Sequence, residues 1–131
     1  MRHILVVDDD PDVAEVLQLA LEAAGFEVQT AAQGAEALRS IEKRRPALVL
    51  LDLMMPVMSG ADLIALLRSD ARYHDLPVVL VTAWPSEAMG VSGAQRVLCK
   101  PVDLHQLLEV ISRTVVEGQQ EAPSPPAAPG L

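Results

Sequence analysis

The sequence predicts one α/β domain: a doubly wound sheet of five parallel strands with helices on both faces. Three observations predict it. Short apolar runs of strand length alternate along the chain with segments of helical period. The runs are almost continuously apolar, as strands buried on both faces must be. Their carboxyl ends carry polar residues, the place where open α/β sheets bind ligands. At 131 residues and 50% hydrophobic, the chain has enough apolar surface for one well-buried core and is too short for two ordinary domains.

The first strand is the run Ile4-Leu5-Val6-Val7. Val13, Val16, Leu17, Ala20, Leu21 and Ala24 then recur at the three-and-four spacing of an amphipathic helix that stops at Gly25. Asp10 followed by Pro11 reads as the N-cap and first residue of that helix. A short strand is expected over residues 27–31 and a helix over 35–45, with Ala37, Leu38 and Ile41 on its apolar face. Lys43, Arg44 and Arg45 fall in its last turn, where basic residues favour the negative helix end. Residues 47–51 make a third strand, residues 60–70 a helix carrying Leu63, Ile64 and Leu67, and residues 78–81 a fourth strand. Residues 86–94 have little apolar face and two glycines, so a fourth helix should be short or disordered. Residues 96–99 read as a fifth strand, and Leu104, Leu107, Leu108, Ile111 and Val115 mark a final helix. The domain is expected to span residues 1–116. Residues 117–131, rich in Gln, Ala and Pro, cannot bury enough surface to order themselves and read as a disordered tail or linker.

A net charge of -8 and a pI near 4.7 argue against a nucleic-acid binder, because Lys and Arg supply most of that affinity. Cys99 is the only cysteine, which excludes an internal disulfide, and its apolar strand offers nothing to stabilise a thiolate, so it is expected to be a small buried residue. With no secretory signal and no apolar run near the roughly 20 residues of a membrane span, a soluble, cytoplasmic protein that contacts no membrane is expected. His3, His74 and His105 lack metal-ligand spacing.

The polar strand ends carry the chemistry. Asp8-Asp9-Asp10 follows the first strand and Asp52 ends the third, and these strands should be neighbours at the switch point of the sheet. Carboxylates held close repel unless a cation lies between them. A hard divalent ion is the natural partner, Mg2+ above all, since it takes one or two carboxylates, some waters and a phosphate oxygen. Thr82 adds a hydroxyl at the end of strand four and Lys100 a positive charge at the end of strand five. Together these groups suit phosphoryl transfer.

The series Asp8-Asp9, Asp52 with Met55-Pro56 and Gly60, Thr82-Ala83 and Lys100-Pro101 resembles the receiver domain of two-component response regulators over roughly residues 2–116. The resemblance implies a flavodoxin-like sheet of order 2-1-3-4-5. It implies that Asp52 accepts a phosphoryl group from a histidine kinase or phosphotransfer protein, and that Asp8, Asp9, Asp52 and the backbone carbonyl of Met54 hold Mg2+. Thr82 and the backbone of Ala83 would bind the phosphoryl group, Lys100 would pair with its oxygens, and the Lys100-Pro101 bond would be cis. Such a protein is no enzyme beyond its own aspartyl phosphorylation and dephosphorylation. Its further partners would be a downstream protein or an effector domain absent from this chain, with a phosphorylation-linked dimer as one form of output. Two other classes compete with it. One is a receiver-fold binding module that works without phosphorylation. The other is a dehalogenase-like phosphohydrolase, disfavoured because Met54 stands where such enzymes usually carry a second aspartate.

Three departures from the family pattern bear on output. The usual aromatic switch position, three before the lysine, is Val97. Thr82 and Lys100 lie 18 positions apart, short of the family's usual spacing by about one helical turn. The residues two beyond Asp52 and Thr82 are Met54 and Trp84, large and apolar. A shortened fourth helix shifts the expected output from the strand 4 to helix 5 side towards helix 1 or helix 5.

Overall fold

The computed structural model describes residues 2–121. In chain order the elements are β1 His3–Val7, α1 Pro11–Ala23, β2 Glu27–Ala31, α2 Gly34–Lys43, β3 Leu48–Asp52, α3 Gly60–Ser69, β4 Val78–Thr82, α4 Pro85–Ala88, β5 Arg96–Cys99 and α5 Leu104–Glu121. All strand pairs are parallel, and the sheet order is β2-β1-β3-β4-β5. The reversal of order falls between β1 and β3, where Val7 lies opposite Leu51. Asp8 and Asp52 therefore emerge side by side.

Every residue of β1, β3 and β4 is buried, which is why these runs carry no polar alternation. Side chains from one face of the sheet join Ala37 and Ile41 of α2 and Leu63, Ile64 and Leu67 of α3. Those from the other face join Leu17 and Leu21 of α1 and Leu107, Ile111 and Val115 of α5. Local signals fix the helix starts. Asp10 accepts the backbone N–H of Asp12 at 2.9 Å and of Val13 at 3.4 Å, ahead of Pro11 at the first helical position. Ser59 and Asp62 cap α3 reciprocally.

Two expectations need correction. Helix α5 continues to Glu121, past residue 116, because Glu and Gln sustain a helix. Residues 122–131 of the expected tail lie outside the described residues. Cys99 is exposed, because β5 is an edge strand on which only Leu98 is buried. In the loop after β3, Met55 is buried, Met58 half-buried and Met54 exposed. Helix α4 is indeed short, at four residues.

The loop after β3 leaves no room at Gly60. Its N–H donates to the Leu53 carbonyl at 2.8 Å, and an added Cβ would stand 2.7 Å from the Asp52 carbonyl oxygen and 2.9 Å from Leu53 Cα. Both obstacles are backbone and cannot swing away. Gly60→Ala is expected to cost about 1–3 kcal/mol and to displace the loop that carries Asp52. Thermal unfolding of the variant beside the parent chain checks this, and an unchanged midpoint would contradict it. In the same loop Val57 has φ 68°, and the Met58 N–H closes a three-residue turn onto the Pro56 carbonyl at 2.7 Å. A β-branched residue rarely adopts that conformation, so backbone strain is stored beside the acidic pocket.

Candidate functional site

The pocket lies at the carboxyl ends of the strands. Asp8 follows β1, its N–H held by the Ala31 carbonyl of β2 at 3.1 Å, and its Oδ1 accepts the Asp10 N–H at 2.9 Å. Asp52 closes β3 and accepts the Met54 N–H at 3.4 Å. One ligand oxygen from each of Asp8, Asp9 and Asp52 lies within 4.8 Å of the other two. Asp8 and Asp52 are buried while Asp9 faces solvent.

Lys100 is brought in from the far side of the sheet. Its N–H donates to the Thr82 carbonyl at 2.8 Å, and the bond to Pro101 is cis. Its Nζ stands 3.4 Å from Asp52 Oδ1 and 3.5 Å from Asp8 Oδ2. One ammonium thus bridges two buried carboxylates. Thr82 is fully buried, and its Oγ1 accepts the Trp84 N–H at 2.9 Å. Ala83, between them, is exposed. The five chemistry-bearing side chains expected from the sequence, those of Asp8, Asp9, Asp52, Thr82 and Lys100, therefore all lie at one edge of the sheet.

Burial raises the Asp52 pKa above the ordinary carboxylate value, and the neighbouring Asp8 carboxylate raises it further. Lys100 and the Met54 N–H oppose both effects. Three acidic groups against one ammonium leave the pocket short of positive charge. Its donor set is entirely carboxylate oxygen, the chemistry of a hard divalent cation rather than of zinc or copper. The residues present fit such an ion.

At the rim, Met54 and Trp84 expose more than half of their surface. Val97 is also exposed. Sequence reading missed two residues with structural consequences. Arg68 of α3, half-buried, donates from Nε to the Gly93 carbonyl at 3.0 Å and from a terminal nitrogen to the Tyr73 carbonyl at 3.1 Å. It fastens the segment after the short α4 onto α3, and an arginine among helical charges carries no signal of that task. His3 is buried, with neither ring nitrogen hydrogen-bonded. Burial and the nearby Arg44 lower its pKa, with the Glu27 carboxylate opposing. It sits at the opposite end of β1 from the pocket, and its place at the start of an apolar run was the available clue to its burial.

The sequence profile of the response regulator receiver domain matches residues 4–112, and the chain belongs to that family. Among its relatives are the DNA-binding response regulator MtrA of Mycolicibacterium smegmatis, 36% identical across 92% of this chain and 53% of that protein. The transcriptional regulatory protein PrrA of Mycobacterium tuberculosis is 43% identical across 81% of this chain and 46% of its own length. This chain spans about half the length of these relatives. Among solved structures, the chemotaxis protein CheY4 of Vibrio cholerae is similar with a TM-score of 0.79 and 33% identity, over 87% of this chain and 98% of that one. The response regulator TrrA of Thermotoga maritima, solved with Mg2+ and BeF, gives a TM-score of 0.81 and 32% identity over 87% of this chain and 99% of that one. The fold is thus the flavodoxin-like arrangement expected from the resemblance. Among the described residues no helix is long and apolar enough to cross a membrane.

Proposed function

We propose that this receiver takes a phosphoryl group from a histidine kinase or phosphotransfer protein onto Asp52 and signals through protein contact. The observation that carries the reading is the Lys100 ammonium set between the buried Asp52 and Asp8 carboxylates. An Asp52 oxygen attacks phosphorus, the bond from phosphorus to the donor's imidazole nitrogen breaks, and an acyl phosphate forms. A carboxylate has no proton to lose, so the step needs charge neutralisation more than a base. Lys100 offsets negative charge on the transferred group. The Thr82 hydroxyl uses its oxygen to accept the Trp84 N–H, leaving its own proton for a phosphoryl oxygen, with the Ala83 N–H as a second donor. Asp8, Asp9, Asp52 and the Met54 carbonyl would hold Mg2+, which when bound supplies the remaining positive charge.

Turning Thr82 toward a phosphoryl group would weaken its hold on the Trp84 N–H. The start of α4 is then the first segment to register the change, which suits a chain with Val97 in place of an aromatic switch. Its partners would be the kinase or phosphotransfer protein and a downstream protein or effector domain outside this chain. A cytoplasmic setting accords with such partners. The test is a small acyl phosphate donor with Mg2+, read by intact mass and by size-exclusion chromatography. A single phosphoryl adduct is expected, with any linked dimer visible in the elution.

Met54 and Trp84 should also set the lifetime of the adduct. Hydrolysis needs an in-line water, and two bulky apolar side chains at the rim disfavour one. Met54→Asn and Trp84→Glu are each expected to speed phosphate loss about tenfold, corresponding to roughly 1.4 kcal/mol of barrier. Phosphate release from purified adduct measures it, and equal rates in all three proteins would refute the shielding.

A further inference from the structure

On the open edge of the sheet, α2 and β2 enclose a groove of about 460 Å³, within the size range of small-molecule sites. Its character is opposite to that of the rest of this acidic chain. Arg39, Lys43 and Arg44 line it, against the single carboxylate of Glu36. Arg44 donates to Glu27 through both terminal guanidinium nitrogens, and Glu36 accepts the Ala32 N–H at 2.7 Å. Arg39 and Lys43 make no ion pair among the described residues. They stand four apart on one helix, a spacing at which like charges repel. An anion between them would turn that repulsion into attraction.

The remaining lining is neutral and polar. Ser40 donates to Gln29 Oε1 at 3.2 Å, which orients the amide. No aromatic side chain lines the groove, so nothing there stacks a nucleobase. Arginine forks and lysine point charges suit phosphate, while amide and hydroxyl groups suit sugar hydroxyls. We infer that this groove binds a small phosphate-bearing polyol of the sugar-phosphate class, at a site separate from Asp52.

The experiment titrates ribose 5-phosphate into the full chain carrying Asp52→Asn, without Mg2+, so that the acidic pocket can neither be phosphorylated nor take up the metal. Shifts confined to the amides around Asp8, Thr82, Lys100 and position 52 would place the binding there and overturn the inference. Nitrogen-15 NMR shifts report the binding. Ribose 5-phosphate is expected to shift the amides of residues 29–30 and 39–44, to bind more tightly than inorganic phosphate, and to leave ribose without effect. Arg39→Gln with Lys43→Gln, both at exposed positions, should weaken binding by at least about tenfold at an unchanged thermal midpoint. The inference is overturned by no saturable shift, by an affinity unaltered by the two substitutions, by phosphate binding as well as its ester, or by adenosine monophosphate binding more tightly. Tighter binding of a glutamate-rich peptide would overturn it in favour of an acidic protein partner.

Discussion

Asp52→Ala is expected to abolish labelling by a small acyl phosphate donor, and Lys100→Met to slow it by about 10²–10³-fold, the loss typical of removing one preorganised charge-stabilising group. The two effects differ in kind. Asp52 supplies the oxygen that bonds to phosphorus, so its removal leaves no product at all. Lys100 forms no bond to phosphorus, but its Nζ lies 3.4 Å from the attacking carboxylate and is the only ammonium bridging it to Asp8 among the described residues. Without it, a dianionic donor would approach three carboxylates with nothing but the divalent ion to offset them. The measurement is a time course of intact mass in saturating Mg2+. Adduct persisting in Asp52→Ala would move the acceptor to another carboxylate, and an unchanged rate in Lys100→Met would remove the lysine from the chemistry. A binding module independent of phosphorylation would instead show partner capture unaltered by donor or by Asp52→Asn.

The pocket was legible because its residues sit where apolar runs end. Asp8, Asp52 and Thr82 close or follow buried strands and Lys100 follows the edge strand β5, and parallel pairing alone sends such ends to one edge. Tertiary context decided the rest. Cys99 lies in a run as apolar as its neighbours, yet the edge position of β5 leaves it exposed. Low hydrophobicity predicts disorder after residue 116, whereas Gln and Glu extend a helix already nucleated by packing as far as Glu121. The brevity of α4 was visible in the spacing, but the means of holding the segment after it was not. Arg68 reaches Gly93 across 25 positions of sequence, and no local pattern encodes that contact. The groove on α2 was legible only as basic residues at the end of a helix, since its second wall is a strand edge.

Stability should invert with Mg2+. Oxygens of Asp8, Asp9 and Asp52 lie within 4.8 Å of one another, and two of these residues are buried. At that separation a pair of like charges costs about 3 kcal/mol at an effective dielectric of about 20, and Lys100 offsets only part of it. Asp52→Asn keeps the shape and removes one charge, so in chelator it is expected to be more stable than the parent chain by about 1–2 kcal/mol. For a domain of this size that is several degrees in midpoint. The divalent ion reverses the order of effects. At about 100 times its dissociation constant it should add about 2.7 kcal/mol to the parent chain, and much less to Asp52→Asn or Asp9→Asn, which have each lost a ligand charge. Thermal melts of the three proteins in chelator and in millimolar Mg2+ read both halves of the argument. A parent midpoint indifferent to Mg2+ would remove the metal from this pocket. An Asp52→Asn variant less stable than the parent in chelator would mean that Lys100 already neutralises the cluster. The expected pattern is that of a site kept charged at a cost in stability, which the ion and then the phosphoryl group draw upon when they bind.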